Sequence, residues 1–403
     1  MTYLERRAAS RDYKSHDAVN AQHQGKGPGT HAMLSSLPDA LLYHTLTFVD
    51  ENDDARCARI SKSWASLRRA WVVRRRGQDA RVSTVAFAHD GSLLAVGESN
   101  YTRREFGVDH CNISVYDVAT GDLLHSLPRR RQANCAAFSP IDSAVLVVGD
   151  DEPLIVVYNL ATGESSILQS FSDFWDVNIV TYSPDASKLA FCREYLVAVM
   201  SIDGLTKVGK ARGIARTPRS GRLTIRGAAF LAAGAELAVA IDTKVKCYDV
   251  ATGELRREIE HHADLRIWTL AASPHGIVSA GGDLGKLALY DASTGRLQRE
   301  LRPATAGDKI IEHSCFSPDG SALAAQNSDA VGYKRISIYD TETGELRREI
   351  TRSEIIWAVA FSPDGKTLAL GDFGGRAALY DVATGDLRRM RRQPQALPAP
   401  PTA

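Results

Sequence analysis

One pattern recurs seven times between residues 85 and 390 of this chain. Each copy has an apolar strand, a turn such as Ser-Pro-Asp-Gly, a second apolar strand, and then a relative of Tyr-Asp-x-x-Thr-Gly. The final glycine of each copy lies 41, 42 or 49 residues after the previous one, at Gly121, Gly163, Gly204, Gly253, Gly295, Gly344 and Gly385. Such regular spacing predicts seven similar structural units.

The repeat predicts an all-β seven-bladed β-propeller over residues 81–392. A period of about 40 to 45 residues built from short strands is typical of propellers with one four-stranded blade per repeat. Residues 316–320 and 361–365 have the proline and glycine of a tight turn between the first two strands of a blade. The outer strands, such as residues 254–259, alternate charged and apolar side chains, and we expect these charges to oppose edge-to-edge aggregation.

The overall composition gives no indication of a nucleic-acid or membrane partner. The net charge is +1 over 403 residues, and no apolar run approaches the ~18 residues that span a bilayer. The N-terminus lacks the apolar core of a secretory signal, so we expect a cytoplasmic or nuclear protein. No Cys-x-x-Cys pair occurs, and we expect reduced, buried cysteines rather than disulfides or metal ligands: Cys57, Cys111, Cys135, Cys192, Cys247 and Cys315.

The two ends of the chain differ from the repeats. Residues 1–31 are polar and charged with few aliphatic side chains, which predicts a disordered N-terminal segment. Residues 393–403 are rich in proline and predict a disordered tail. Residues 71–80 are either a linker or a strand that closes the propeller ring.

A short stretch of helical periodicity precedes the repeats. Residues 32–70 carry apolar side chains at helical spacing, and Ser35 or Ser36 can cap a first helix that has Pro38 in its first turn. The stretch resembles an F-box, although Ile60-Ser61 stands where valine-cysteine is commoner in that family. The resemblance implies contact with the Skp-type adaptor of a cullin ubiquitin ligase through Leu37, Pro38, Leu41, Leu42, Leu46, Val49, Ile60 and Trp64. The alternative is a helical lead that packs against the propeller.

The repeats resemble WD repeats over about three quarters of the chain. Tyr-Asp or Tyr-Asn stands where that family usually has Trp-Asp, for instance at Tyr339-Asp340. The aromatic ring can still fill the space between blades. The Gly-His dipeptide of the family is missing, so its Asp–His hydrogen-bond network is not expected. The third repeat departs most from the pattern, with Met200 in place of the tyrosine.

The irregular loops predict a binding face. If the regular turns lie at one end of the ring, the loops between second and third strands and between blades lie at the other end. Arginine with tryptophan is typical of interaction hot spots, and arginine clusters suit phosphate or carboxylate groups. The alternative is that the arginines are solvated and the tryptophans pack between blades. The predicted substrate-binding residues are Arg103, Arg104, Arg130, Arg193, Arg222, Arg266, Trp268, Trp357 and Arg376.

The chain has none of the common catalytic motifs. It contains no nucleophile elbow, Walker loop or His-Glu-x-x-His, and His261-His262 is interpreted as a solvated loop. We therefore predict no catalytic residue, metal or cofactor. The leading hypothesis, implied by the resemblance, is a substrate-recognition adaptor of a cullin-type ubiquitin ligase that binds a protein target, with a phosphorylated or acidic segment as the expected ligand. The alternatives are a WD-repeat interaction scaffold without a ligase link and a propeller hydrolase or lyase.

Overall fold

The computed structural model describes residues 72–74, 80–100, 111–151, 154–171, 176–203, 205–217, 225–262, 265–301, 310–329 and 332–388. The chain divides between Arg69 and Ala70 into two units, and every described residue lies in the second. The predicted helical domain and both predicted disordered ends lie outside the described residues. So do the eight predicted adaptor-binding residues, Leu37, Pro38, Leu41, Leu42, Leu46, Val49, Ile60 and Trp64.

The described chain forms seven four-stranded antiparallel sheets. Strand β1 (Val72–Arg74) comes first and belongs to the last sheet. Blade 1 comprises β2 (Ala80–Phe87), β3 (Leu93–Asn100), β4 (Cys111–Asp117) and β5 (Leu123–Arg129). Blade 2 comprises β6 (Ala133–Phe138), β7 (Val145–Asp150), β8 (Leu154–Asn159) and β9 (Ser165–Ser170). Blade 3 comprises β10 (Val177–Tyr182), β11 (Lys188–Arg193), β12 (Leu196–Asp203) and β13 (Thr206–Arg216).

The remaining four blades follow in the same order. Blade 4 comprises β14 (Ile225–Leu231), β15 (Glu236–Ile241), β16 (Lys244–Asp249) and β17 (Leu255–Glu260). Blade 5 comprises β18 (Ile267–Ala272), β19 (Ile277–Gly282), β20 (Leu287–Asp291) and β21 (Leu297–Leu301). Blade 6 comprises β22 (Ile311–Phe316), β23 (Ala322–Asp329), β24 (Gly332–Asp340) and β25 (Leu346–Thr351). Blade 7 comprises β26 (Ile356–Phe361), β27 (Thr367–Asp372) and β28 (Arg376–Asp381), with β1 outermost.

The seven sheets close into a ring, which confirms the predicted all-β seven-bladed propeller. The first strand of each blade contacts the first strand of the next blade, and β26 contacts β2 to complete the circle. Beyond strands and turns, the described ranges contain a single 3-10 turn at Ala232–Gly234. No helix in those ranges is long and apolar enough to cross a membrane.

The middle strands of each blade form the core. Strands β7 and β27 are buried along their whole length, because neighbouring blades cover both faces of the sheet. The tyrosine of the repeat motif fills the space between blades, as the sequence predicts. Tyr290 and Tyr339 are 4% and 1% exposed and pack in clusters that join adjacent blades.

The repeat motif forms the turn between the third and fourth strands. In blade 6, Oδ1 of Asp340 accepts hydrogen bonds from the backbone N–H groups of Glu342 at 2.9 Å and Thr343 at 2.7 Å. The six described motif glycines have φ between +73° and +79°, a conformation that favours glycine. In blade 2, Oδ1 of Asn159 accepts the equivalent bonds. The fixed spacing of the sequence repeat therefore reflects a turn that needs both an Asp or Asn side-chain oxygen and the glycine.

Both ends of the described chain contribute to the outer edge of blade 7. Strand β1 pairs antiparallel with residues 376–378 of β28. Leu387 forms a bridge with residue 380, and the backbone N–H of Arg388 donates to the carbonyl of residue 379 at 2.7 Å. The segment 71–80, for which the sequence leaves a linker and a closing strand open, thus contains a strand of the closing blade.

Buried ion pairs join neighbouring blades at two junctions. Arg129 at the end of blade 1 donates to the carboxylate of Asp150 and, at 2.8 Å, to the hydroxyl of Tyr158, both in blade 2. The sequence analysis did not expect the Asp–His hydrogen-bond network of the family, and it did not anticipate these Arg–Asp–Tyr contacts either. The same residue types hold the equivalent positions between blades 6 and 7, namely Arg352, Asp372 and Tyr380.

A histidine takes the corresponding position between blades 4 and 5. Nδ1 of His261 lies 3.0 Å from the hydroxyl of Tyr290, and the side chain is 7% exposed. The interpretation of His261-His262 as a solvated loop is therefore wrong for His261. Burial, together with nearby His262 and Lys286, lowers the pKa of His261 to about 4, so its imidazole is neutral at physiological pH.

Arginines on the outer strands also link the blades. At four successive junctions an outer-strand guanidinium donates to a backbone carbonyl in the motif turn of the next blade. These arginines therefore hold neighbouring blades together, in addition to opposing edge-to-edge aggregation as the sequence predicts. The donors and acceptors are Arg212 with Ala251 and Thr252, Arg257 with Ala292, Arg299 with Thr343, and Arg348 with Ala383.

The described cysteines are free thiols, as the sequence predicts. Cys111, Cys192 and Cys247 are buried, and Cys135 and Cys315 are half-buried. Burial raises the pKa of Cys135, Cys192, Cys247 and Cys315, so these four thiols stay protonated at neutral pH. The sixth cysteine, at position 57, lies outside the described residues.

Candidate interaction site on the loop face

Every first strand carries a β-bulge near its start. In β2, Val82 pairs with Glu98 and Thr84 pairs with Gly97, so Ser83 is an extra residue without a register partner on β3. The same shift occurs in the other six first strands. We call the residues at these shifts the bulge ring: Ser83, Asn134, Asn178, Arg226, Trp268, Glu312 with His313, and Trp357.

The bulge ring lies at one end of the propeller. Each first strand is entered from a loop between blades, and this end also carries the loops between second and third strands; we call it the loop face. A bulge bends its strand and re-aims a side chain without changing the rest of the ladder. Seven equivalent bulges thus place one set of side chains around the axis of the ring at the loop face.

Arg226 and Trp268 contact each other across blades 4 and 5. The guanidinium carbon of Arg226 lies 4.4 Å from the centroid of the Trp268 ring, within cation–π range. Nε1 of Trp268 donates to Oδ1 of Asp283 at 2.7 Å, which fixes the orientation of the indole. Arg226 is exposed and Trp268 is half-buried. This part of the loop face therefore presents a cation held on an oriented aromatic ring.

A second aromatic group spans blades 6, 7 and 1. The ring centroids of His313 and Trp357 are 5.9 Å apart, and those of Trp357 and Phe373 are 5.0 Å apart, both edge to face. The guanidinium carbon of Arg81 lies 4.3 Å from the centroid of Phe373. Aromatic pairs in this geometry stabilise one another, so these rings form a preorganised patch.

The bulge ring is polar at blades 1 to 3. Nδ2 of Asn134 donates to Oδ1 of Asp151 at 2.7 Å, and Asn178 is exposed. Ser83 is buried and donates to the carbonyl of Ala133 at 2.5 Å. The loop face thus has an aromatic and cationic side at blades 4 to 7 and an amide side at blades 1 to 3.

Carboxylates accompany the amide side. Burial, with Asp151 and Glu194, raises the pKa of Asp176 to about 7, although Arg193 and Arg131 act in the opposite direction. The carboxyl of Asp176 is therefore close to half protonated at neutral pH. The sequence interpretation, which named only basic and aromatic side chains for these loops, missed the acidic side chains on the loop face.

The predicted substrate-binding residues are distributed unevenly around this site. Trp268 and Trp357 occupy equivalent bulges, as their matching positions in the sequence indicate. Nε of Arg266 lies 3.9 Å from Oδ1 of Asp242, and the backbone N–H of Arg266 donates to Asp283. Arg266 and Trp268 thus share Asp283 and form one cluster, whereas Trp357 belongs to the second aromatic group.

The remaining predicted arginines lie apart from that cluster. Arg193 is 5% exposed, and its guanidinium carbon lies 4.1 Å from the ring centroid of Phe171 at the boundary of blades 2 and 3. Arg130 is exposed directly after β5, and Arg376 is half-buried at the start of β28. The other three, Arg103, Arg104 and Arg222, lie outside the described residues.

One sequence signal could have found the rest of the bulge ring. Trp268 and Trp357 each precede the serine that begins the next turn by five residues, at Ser273 and Ser362. Applied to the other blades, this offset from a turn serine selects the bulge positions of blades 2, 3 and 6, including Asn134, which precedes Ser139. Blades 1 and 4 have no serine at the corresponding position. The sequence interpretation matched only the two tryptophans by position and so missed the ring as a whole.

The described part of the loop face gives no sign of a metal centre. In the described ranges, no group of three or more His, Cys, Asp or Glu side chains could hold a metal ion. That no catalytic residue or cofactor is present stays a prediction.

Comparison with known proteins supports the repeat family. The model of the WD domain, G-beta repeat, matches residues 344–381, which cover the motif turn of blade 6 through the end of β28. The U3 small nucleolar RNA-associated protein 4 homolog of Mus musculus is 30% identical over 132 residues, 30% of this chain and 18% of that protein.

Two further relatives extend the similarity. The periodic tryptophan protein 2 homolog of Dictyostelium discoideum is 23% identical over 322 residues, 76% of this chain and 32% of that protein. The small ribosomal subunit protein RACK1y of Oryza sativa subsp. japonica is 28% identical over 151 residues, 35% of this chain and 42% of that protein. The chain thus spans less than half the length of each of these relatives. Together with the seven sheets, these matches support a WD40 repeat domain in the form of a seven-bladed β-propeller.

Proposed function

We propose that this protein is a WD-repeat interaction scaffold whose bulge ring binds a protein partner. The observation that carries the proposal is the shared bulge, which brings Arg226, Trp268, His313 and Trp357 to one face from four different blades. Arginine and tryptophan are enriched among the residues that dominate binding energy at interfaces. This corresponds to the scaffold alternative of the sequence interpretation.

The names of two relatives suggest an assembly in which such a scaffold works. One relative is named as associated with U3 small nucleolar RNA, and another as a protein of the small ribosomal subunit. We propose that the present chain likewise contributes protein–protein contacts to an RNA-containing assembly, with a nuclear location. The near-neutral net charge favours contact with a protein component rather than with RNA itself.

The partner segment expected at the bulge ring has an acidic or phosphorylated group. The exposed guanidinium of Arg226, held on Trp268, suits a carboxylate or phosphate, and the rings around Trp357 suit an apolar neighbour of that group. The carboxylates at blades 2 and 3 disfavour an anion there. We therefore expect the acidic end of the partner segment to lie over blades 4 and 5.

The test is affinity purification of the full chain, followed by mass spectrometry. Arg226→Glu and Trp268→Ala should each reduce recovery of the principal partners at least tenfold. Ile141→Ala, which changes an exposed residue in a turn at the opposite end of the ring, serves as the control and should leave recovery unchanged. Treatment with RNase separates direct capture from capture through RNA. Equal recovery with all three variants would refute a role for the bulge ring.

The ligase-adaptor hypothesis rests on residues 32–70, which lie outside the described residues. None of the three relatives reported above is named as an F-box protein or ligase subunit. Leu41→Asp combined with Leu42→Asp tests it directly: if residues 32–70 bind a Skp-type adaptor, the wild type should recover that adaptor with its cullin and the double variant should not. Equal recovery, or absence from the wild-type sample, would leave only the scaffold function.

A further inference from the structure

The turn between the second and third strands of blade 5 presents a leucine to solvent on the loop face. Leu284 in this turn is 65% exposed. The other exposed large apolar side chains of the described ranges lie on the outer strands β5, β9, β17, β21 and β25 or, for Ile141, in a turn at the opposite end of the ring. Within the described part of the loop face, Leu284 is therefore the exposed large aliphatic residue.

The backbone of Leu284 is in the left-handed region, with φ at +58°. This conformation is unfavourable for L-residues and rare for bulky ones. The other described non-glycine residues with positive φ are three alanines and an aspartate. In blade 7 the strand register places Gly374 at the equivalent position. Neither packing nor turn chemistry thus accounts for a leucine at this position.

The turn that carries Leu284 is fixed on both sides. The backbone N–H of Asp283 donates to the carbonyl of Arg266 at 3.1 Å, and that of Lys286 donates to the carbonyl of Asp283 at 3.2 Å. Asp283 also forms an antiparallel bridge with Ile310 at the entrance to blade 6. An unfavourable backbone conformation persists only where the surrounding structure imposes it. Leu284 is therefore held out by a rigid turn.

Asp283 connects this turn to the Arg226–Trp268 pair. Its carboxylate accepts from Nε1 of Trp268 at 2.7 Å and from the backbone N–H of Arg266 at 3.1 Å. Leu284 is the next residue of the chain, and the guanidinium of Arg226 lies over the Trp268 ring. An aliphatic side chain, an oriented indole and an exposed cation thus belong to one connected unit.

The charges of this unit favour an anionic ligand. Arg226 is exposed, the side chain of Arg266 is 43% exposed, and Lys286 is half-buried. Two carboxylates oppose these three cations: Asp242, 3.9 Å from Arg266, and Asp283, which already accepts the two hydrogen bonds described above. Leu284 therefore stands beside a position that suits a carboxylate or a phosphate.

We propose that Leu284 determines specificity beside the bulge ring, by selecting partner segments with an aliphatic side chain next to the acidic or phosphorylated residue that Arg226 binds. This inference rests on the proposed function. Contact between two aliphatic side chains removes apolar surface from water. An acidic segment without the aliphatic neighbour gains only the charge contact, which salt weakens. Leu284 thus distinguishes a defined partner from acidic segments in general.

Peptide libraries offered to the immobilised full chain test the proposal. The probes are three libraries with a fixed central phosphoserine, glutamate or serine and degenerate flanks, and the retained peptides are sequenced by mass spectrometry. The wild type should prefer an anionic library to the serine library, and should enrich leucine, isoleucine or methionine at least threefold at one flanking position. Anionic preference without this enrichment would overturn the inference and leave the proposed function standing, whereas absence of any anionic preference would refute both.

Variants assign the preference to the residue. Leu284→Asn should abolish the aliphatic enrichment and keep the anionic preference, and Leu284→Met should keep both. Arg226→Glu should abolish the anionic preference. Leu297→Asn, which changes a 51% exposed leucine on the outer strand of the same blade, is the matched control and should behave as the wild type. Aliphatic enrichment that persists in Leu284→Asn would show that another residue selects the aliphatic side chain.

Urea unfolding separates a contact with a partner from a contribution to the fold. Asparagine tolerates the left-handed conformation better than leucine does. Leu284→Asn should therefore unfold at the same urea concentration as the wild type or at a higher one. A lower midpoint would show that Leu284 stabilises the propeller itself and would overturn its assignment as a binding residue.

Discussion

The buried ion pair between blades 6 and 7 should respond strongly to loss of one charge. Arg352 and Asp372 have side chains that are 6% and 1% exposed. Oδ1 of Asp372 accepts from the backbone N–H groups of Gly374 at 2.9 Å and Arg376 at 3.0 Å, and Oδ2 accepts from Arg352. Asp372→Asn can keep its single oxygen on the backbone only by turning its NH₂ group towards the guanidinium.

That arrangement leaves a buried cation facing a donor. Breaking a buried ion pair by removing one partner typically costs about 3–5 kcal/mol, because the remaining charge has neither water nor a counter-ion. We expect Asp372→Asn to lose stability in this range. Adding Arg352→Met removes the stranded charge, so the double variant should recover at least about 2 kcal/mol.

Urea unfolding followed by tryptophan fluorescence and circular dichroism measures these differences. Arg347→Ala is the matched control, because it breaks the Arg347–Asp340 pair of blade 6, whose side chains are 42% and 21% exposed. An exposed pair contributes at most about 1 kcal/mol. If Asp372→Asn costs no more than Arg347→Ala, or if the double variant is less stable than Asp372→Asn, the ion pair does not stabilise the junction as inferred.

Two other features give sharp expectations. The pKa of the His261 imidazole is lowered from an ordinary value near 6.5 to about 4 in the folded chain. Between these two pH values the unfolded chain therefore binds a proton that the folded chain does not bind. As a result, the free energy of unfolding falls as the pH falls through this window. Between pH 7 and pH 4.5 His261→Gln should therefore lose about 2–3 kcal/mol less than the wild type in urea unfolding, and equal losses would contradict the assigned burial. Gly344 and Gly163 both have positive φ. An added Cβ would collide with Cδ of Arg299 at Gly344, whereas at Gly163 it would meet no atom within 4 Å. Gly344→Ala should thus destabilise by about 1 kcal/mol more than Gly163→Ala in thermal melts, and a smaller loss would argue against the Arg299 contact.

The architecture followed from local chemistry in the repeat. A turn that needs an aspartate and a positive-φ glycine appears in the sequence as fixed letters at a fixed period, so the blade count could be predicted without tertiary information. The burial of Tyr339 and the turn at residues 361–365 followed for the same reason. Each depends on residues close together in the chain.

The contacts between blades could not be predicted in this way. Arg352 and Asp372 are 20 positions apart and lie in different repeats, and neither residue type stands out in an arginine-rich chain. The role of Arg299 depends on reach across a blade boundary to a carbonyl, which composition does not reveal. His261 looked solvated because the position of Tyr290 relative to it is set by packing, not by sequence distance.

The bulge ring could be predicted from the sequence only in part. A bulge is an offset between two strands, so no single residue type marks it, and Asn134 and Arg226 share a position without sharing chemistry. The constant five-residue offset to the turn is visible in the sequence only once the structure shows that the position matters. From the sequence, the candidate binding positions could therefore be predicted only where a tryptophan occupies the bulge.

The common bulge has a consequence for how binding properties can vary in such a ring. The extra residue of each first strand has no register partner on the second strand, so its side chain can change while the strand pairing that supports the ring keeps its register. The six members of the bulge ring that are exposed or half-buried thus act as exchangeable surface sites on one rigid frame, whereas Ser83 and Glu312 are buried. A designer who wished to redirect this propeller to a new partner could begin with those six codons and leave the strand register as it is.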